Sequence, residues 1–321
     1  MNAAMEPDLN ALLAQDPAPA GLYLLIDRSQ HDPLLGLWDG PVPEQAIHPL
    51  RDLLFEAAPE RAPALLDPAA WPDMSSRLRL SWLQNMLWAY DRTINSLSEY
   101  YLSGWLLADA PAAEVADHLS RLLPQQHPSG ELRHLRVYDP QVFHLLIEKL
   151  PAEQRRALLG PVRHWWYSAK AKQLAVVSAD PAQRPPPGGF LLPDHTWHWL
   201  EILPDILLMR YLLPLLQDAA VGRLPARELE LDLDHAAAWL DLARARGWTR
   251  AGDEAAGYAV LLELLGPDDA EHPALLALLE VCRAPDYPAG LYNYLIFQFQ
   301  SQDWPRVLDT IRPRRHRNFR P

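Results

Sequence analysis

The 321-residue chain holds a single cysteine, Cys282. One thiol cannot close an internal disulfide, so the fold does not depend on an oxidising compartment. Cys282 sits in a helical-looking stretch, 274–283, where it reads as a small buried apolar residue. A catalytic thiolate would need a base and an electropositive setting, and neither stands nearby in the sequence. Positive charge is short as well: 29 Lys and Arg face 41 Asp and Glu, a formal net charge of −12. Phosphate contact needs clustered cations, so this balance argues against a nucleic-acid partner. The exception is Arg312, Arg314, Arg315, Arg317 and Arg320, within 312–321, read as a solvated basic tail. Long apolar runs are missing too. The best stretch, 200–221, is interrupted by Glu201, Pro204, Asp205, Arg210 and Pro214, and reads as a buried helix pair rather than a membrane span. Residues 1–19 carry Glu6, Asp8 and Asp16 and show no basic segment ahead of an apolar core, which predicts a cytoplasmic protein.

The motifs of common chemistries are also missing. Gly188-Gly189 follows Pro185, Pro186 and Pro187 and opens no strand–helix turn, so no phosphate-cradling loop is expected. No Gly-x-Ser-x-Gly elbow occurs. His195 and His198 share one helix face beside Asp194, but zinc takes three or four ligands, and both histidines read as packing or capping groups. The carboxylates of Glu228–Asp234 alternate with Leu229, Leu231 and Leu233 as on a solvated face. The expectation is no catalytic residue, no cofactor and no metal.

What is present is hydrophobic material for two cores, at 49% of the chain. Continuous apolar runs at Leu22–Ile26, Ala64–Leu66 and 104–108 suit strands covered on both faces, as in a parallel sheet. Leu132–Tyr138 reads as a further strand, and 165–178 as one or two. Helical spacing occurs at 48–57, 77–94 and 112–123, then after Asp139-Pro140, where the aspartate can cap and the proline opens the helix. Another helix, 152–159, stops at Gly160-Pro161. This alternation predicts an α/β N-terminal lobe with a mainly parallel sheet over 21–179, behind a loose leader, 1–20. A Pro-rich linker or loop spans 180–190. An all-α lobe covers 191–311, with helices expected at 194–219, 226–246, 252–265, 271–283, 288–301 and 303–311. Twelve tryptophans are a surplus. Trp165-Trp166-Tyr167 is the densest aromatic cluster, readable either as core between the lobes or as a partner-binding patch, since aromatics anchor interfaces.

Several segments together resemble a known family. Leu22-Tyr23-Leu24-Leu25-Ile26-Asp27, Gly104-Trp105-Leu106-Leu107, Leu135-Arg136-Val137-Tyr138-Asp139-Pro140-Gln141-Val142, Pro151-Ala152-Glu153-Gln154-Arg155 and Leu159-Gly160-Pro161-Val162 occur in the order and spacing of the type VI secretion effector adaptors. These are also called effector chaperones, and their domain is the domain of unknown function 4123. The likeness covers roughly 21–165. Its most specific element is Arg136, Tyr138, Asp139 and Pro140, read here as a structural motif. The helical part carries weaker likeness at 243–248, 265–268 and His272-Pro273. Two departures stand out: Val137 where the family usually has an aromatic, and a long Pro-rich linker. The resemblance implies a non-enzymatic protein that holds a secreted effector and helps load it onto the spike protein of the secretion machine. An immunity-type toxin-binding protein, or an unrecognised hydrolase, fits the composition as well.

Overall fold

The computed structural model describes residues 9–13, 20–29, 43–70, 102–170, 173–180, 186–219, 232–245, 253–265 and 273. The chain divides into two compact units, Met1–Leu200 and Glu201–Pro321.

The first unit is built on a six-stranded sheet. Its strands are β1 (Leu22–Ile26), β2 (Ile47–Pro49), β3 (Ala64–Leu66), β4 (Leu102–Ala108), β7 (Val162–Lys170) and β8 (Gln173–Ser178), in the order β2-β3-β1-β4-β7-β8. A separate hairpin pairs β5 (Pro124–Gln126) with β6 (Leu132–His134). The helices are α1 (Leu9–Leu13), α2 (Ala112–Leu122), α3 (Pro140–Lys149) and α4 (Ala152–Leu159).

Every neighbouring pair in the large sheet is antiparallel, so the expected parallel sheet is wrong. The apolar runs correctly signal strands covered on both faces, but coverage does not fix direction. On one face Tyr23, Leu25, Leu65, Leu106, Trp165 and Tyr167 pack with Val115 and Leu119 of α2, Phe143 and Leu146 of α3 and Leu158 of α4. On the other face Leu22, Leu24, Ile26, Leu66, Trp105 and Trp166 pack with Leu9 and Ala46. Residues of one strand therefore alternate between two separate cores, and neither face reads as polar. Direction is set by the connections instead. Lys170 pairs with Gln173 only three positions on, and strands so closely connected pair antiparallel. Between β4 and β7 lie three helices and the small hairpin, not the single crossover helix of a parallel unit.

Two local expectations also fail. Residues 48–57 form no α-helix: β2 ends at Pro49, and Asp52 accepts the Leu54 N–H at 2.8 Å to cap a 3-10 turn over Leu53–Phe55. The strand expected at Leu132–Tyr138 ends at His134, and the chain then turns, with Asp139 N–H donating to the Arg136 carbonyl at 2.8 Å. The helices expected at 77–94, 288–301 and 303–311 lie outside the described residues, as does that at 271–283 apart from residue 273.

In the second unit the described regular structure is helical: the larger part of α5 (Asp194–Ala219), then α6 (Leu233–Ala245) and α7 (Asp253–Leu265). Arg244 pairs with Asp205 at 2.8 Å, and the Trp239 indole N–H donates to Glu263 at 2.6 Å. Among the described residues no helix is long and apolar enough to cross a membrane.

Candidate functional site

The Arg136–Pro140 segment sits where the end of β1 meets the start of α3. Asp139 is the N-cap of α3, its carboxylate accepting the Gln141 N–H at 2.9 Å, and Pro140 takes the first helical position, where its missing N–H costs nothing. Arg136 reaches the end of β1. One of its Nη atoms lies 3.4 Å from the carboxylate of Asp27, the residue after β1, and 3.6 Å from that of Asp139. One guanidinium thus bridges two carboxylates from distant parts of the chain. Burial pushes the Asp139 carboxyl above its ordinary range, against the opposing pull of Arg136 and of the Gln141 and Val142 N–H groups. Arg136 is held above its ordinary value: burial opposes its charge, and Asp139, Tyr138 and Asp27 outweigh that.

Tyr138 extends the cluster sideways. Its hydroxyl lies 3.1 Å from His134 Nε2, and His134 Nδ1 lies 3.3 Å from Asp52. Phe55 meets the His134 ring edge-on, with centroids 5.6 Å apart. Burial raises the Tyr138 hydroxyl well above the ordinary phenol range, so it stays protonated. The Arg136 guanidinium lies 5.7 Å from the centre of its ring. The sequence reading singled out Arg136, Tyr138, Asp139 and Pro140, and the structure brings all four together. It missed Asp27, His134 and Asp52, which come from other segments, and no local spacing marks them.

A second carboxylate–histidine–tyrosine chain lies on α3 and β7. Glu148 Oε1 is 3.1 Å from His144 Nε2, and His144 Nδ1 is 3.2 Å from the Tyr167 hydroxyl. Burial, with help from Glu148, pushes the Tyr167 hydroxyl up to about 12. A phenol so held is a poor nucleophile at neutral pH, and this chain ties α3 to the sheet.

The aromatic cluster lies in the cores. Trp165, Trp166 and Tyr167 are 0%, 3% and 3% exposed. Trp165 stacks on Phe143 at 4.0 Å between centroids, and Trp166 faces the opposite core. Their side chains therefore present no partner-binding patch on the surface of this structure.

His195 and His198 are both exposed on the first turns of α5, and no group of three or more His, Cys, Asp or Glu able to hold a metal ion occurs among the described residues. Of Glu228–Asp234 only 232–234 are described; Asp232 accepts the His235 N–H at 2.7 Å, beside the start of α6. Cys282 and the arginines of 312–321 lie outside the described residues.

Large apolar side chains are exposed around the Asp52–His134 contact. Leu53 and Leu54 follow Asp52 and are 71% and 63% exposed; Leu132, two residues before His134 on β6, is 63% exposed.

The first unit is thus an antiparallel sheet with helices packed against it, an ion-paired latch at the end of β1 and exposed leucines beside it. Residues 22–157 match the family described as Domain of unknown function (DUF4123), and this segment of the chain is a domain of that family. The segment ends within α4, so β7 and β8 lie beyond it. No curated protein and no solved structure matches the chain.

Proposed function

We propose that this protein is a non-enzymatic adaptor, or chaperone, that binds a type VI secretion effector in the cytoplasm of the producing cell and helps load it onto the spike protein. The observation that carries the reading is the family match over 22–157, which contains the whole Arg136–Pro140 motif. The geometry supports a holding role. The motif's charged groups are spent on one another, and the exposed leucines beside them, Leu53, Leu54 and Leu132, offer apolar surface to a partner. The net charge of −12 speaks for protein partners rather than nucleic acid.

The test is co-expression of the full chain with the effector encoded beside it, followed by size-exclusion chromatography. A stable complex is expected, lost when Leu53, Leu54 and Leu132 are replaced by serine. The same strain without this gene should fail to secrete that effector. Separate peaks together with undiminished secretion overturn the proposal.

A further inference from the structure

The two edges of the large sheet differ. The β2 edge is three residues long and ends in Pro49, and short strands and proline are how natural sheets close an edge to pairing. The β8 edge is Gln173-Leu174-Ala175-Val176-Val177-Ser178, six residues with no charge and no proline. Among the described residues no strand borders its outer side. Leu174 is exposed, and Ala175, Val176 and Val177 are only partly buried. The usual devices against edge-to-edge pairing are missing here.

The register says which backbone groups point outward. Ala179 N–H donates to the Arg163 carbonyl at 2.8 Å, so the Arg163–Ala179 pair is a hydrogen-bonded one. Antiparallel pairs alternate, so Val177 and Ala175 also turn their backbone groups toward β7. Leu174, Val176 and Ser178 therefore direct their N–H and C=O groups away from β7, along the open edge.

We propose that a second copy of this chain occupies that edge, β8 against β8, antiparallel about a twofold axis through Val176. In this register Val176 faces Val176, and Leu174 faces Ser178 on each side, so all three outward-directed residues meet outward-directed partners. Ala175 faces Val177, which sets apolar beside apolar over the core that both already line. Each chain carries a net charge of −12, and the uncharged strand is where two copies approach with least repulsion. The joined sheet has twelve strands, twice the six of one copy. This inference stands independently of the adaptor reading.

The experiment is sedimentation velocity on the full chain across a concentration series at low and moderate salt. A dimer is expected, and added salt should tighten it by screening the like net charges. Val176→Pro removes an N–H that β7 does not use, which an edge strand tolerates. It should leave the circular dichroism spectrum unchanged and weaken the dimer about tenfold or more, because the central pair loses both its reciprocal hydrogen bonds. Should that variant unfold, Val176→Cys in a Cys282→Ser background decides: a short bis-maleimide should give covalent dimer. A monomer at every concentration and salt overturns the proposal. So does a dimer that survives Val176→Pro, or one that yields no cross-link at position 176.

Discussion

Arg136 lies 3.4 Å from Asp27, a residue 109 positions earlier in the chain, and the same guanidinium lies 3.6 Å from Asp139. The contact ties the end of the central strand β1 to the cap of α3. It lets a buried carboxylate, Asp27, and a mostly buried one, Asp139, share one cation.

Removing that cation leaves both carboxylates uncompensated. Arg136→Met should lower the unfolding free energy by about 1–3 kcal/mol, the range for losing hydrogen bonds to charged groups, since Arg136 is itself half exposed. Arg136→Lys should recover only part of this, because a point charge cannot span two acceptors as a planar fork does. Urea denaturation of the three proteins checks the order.

Asp139 separates cap from charge. Asp139→Ala loses the cap and should cost about 1 kcal/mol, whereas asparagine keeps it. The folded-state pKa of Asp139 is raised, so its contribution is fully present below the unfolded carboxylate value and is lost as pH rises through the folded one. Asp139→Asn should therefore gain on the parent as pH rises through the carboxylate range. Denaturation midpoints of both proteins from acid to neutral pH test the crossing.

His118 runs the other way. Its imidazole is partly buried, lies 3.0 Å from the Leu158 carbonyl, and has its pKa lowered from 6.5, chiefly by desolvation. Its contribution is present above about 6.5 and lost as pH falls through the folded value. His118→Gln should flatten the stability profile in that window, measured by thermal unfolding.

Gly160 ends α4 at φ +54°, and a Cβ there would run into the His118 ring. Gly160→Ala therefore meets both backbone strain and a clash, and should cost about 1–3 kcal/mol. A second change, His118→Ala, should return part of it by relieving the clash, which a double-mutant cycle reads directly.

Trp165 tests whether the aromatic cluster is core. Trp165→Ala should cost about 3–5 kcal/mol, since the side chain is fully buried against Phe143. An interface tryptophan would instead lose binding with stability intact.

Much of this was legible in the residues. The capped start at Asp139-Pro140, the stop at Gly160 and the helix over Asp194–Ala219 all follow from local chemistry that tertiary context does not override. Strand direction was not legible: Leu22–Ile26 reads the same in any sheet with both faces covered, and only the pairing of Leu24 with Leu66 and Trp105 settles it. Leu50, Leu53 and Leu54 kept helical spacing, yet Asp52 bonds the local backbone first and turns the chain. The latch was half legible. Arg136 and Asp139 are neighbours, but Asp27 and Asp52 become partners only through the fold. Trp165 and Trp197 fill one core and Trp105 and Trp166 the other, on the two faces of the same sheet, so an aromatic-rich stretch does not by itself mark surface.

The strand order has a consequence for synthesis. β1 lies inside the sheet and is buried on both faces, yet it is made before either of its neighbours, β3 and β4, which begin only at residues 64 and 102. Until then five successive apolar residues, Leu22–Ile26, have no native strand to pair with. The first unit therefore cannot assemble in step with translation; it must wait for β4 and close late, around pairings distant in sequence, the slow and aggregation-exposed route to a fold.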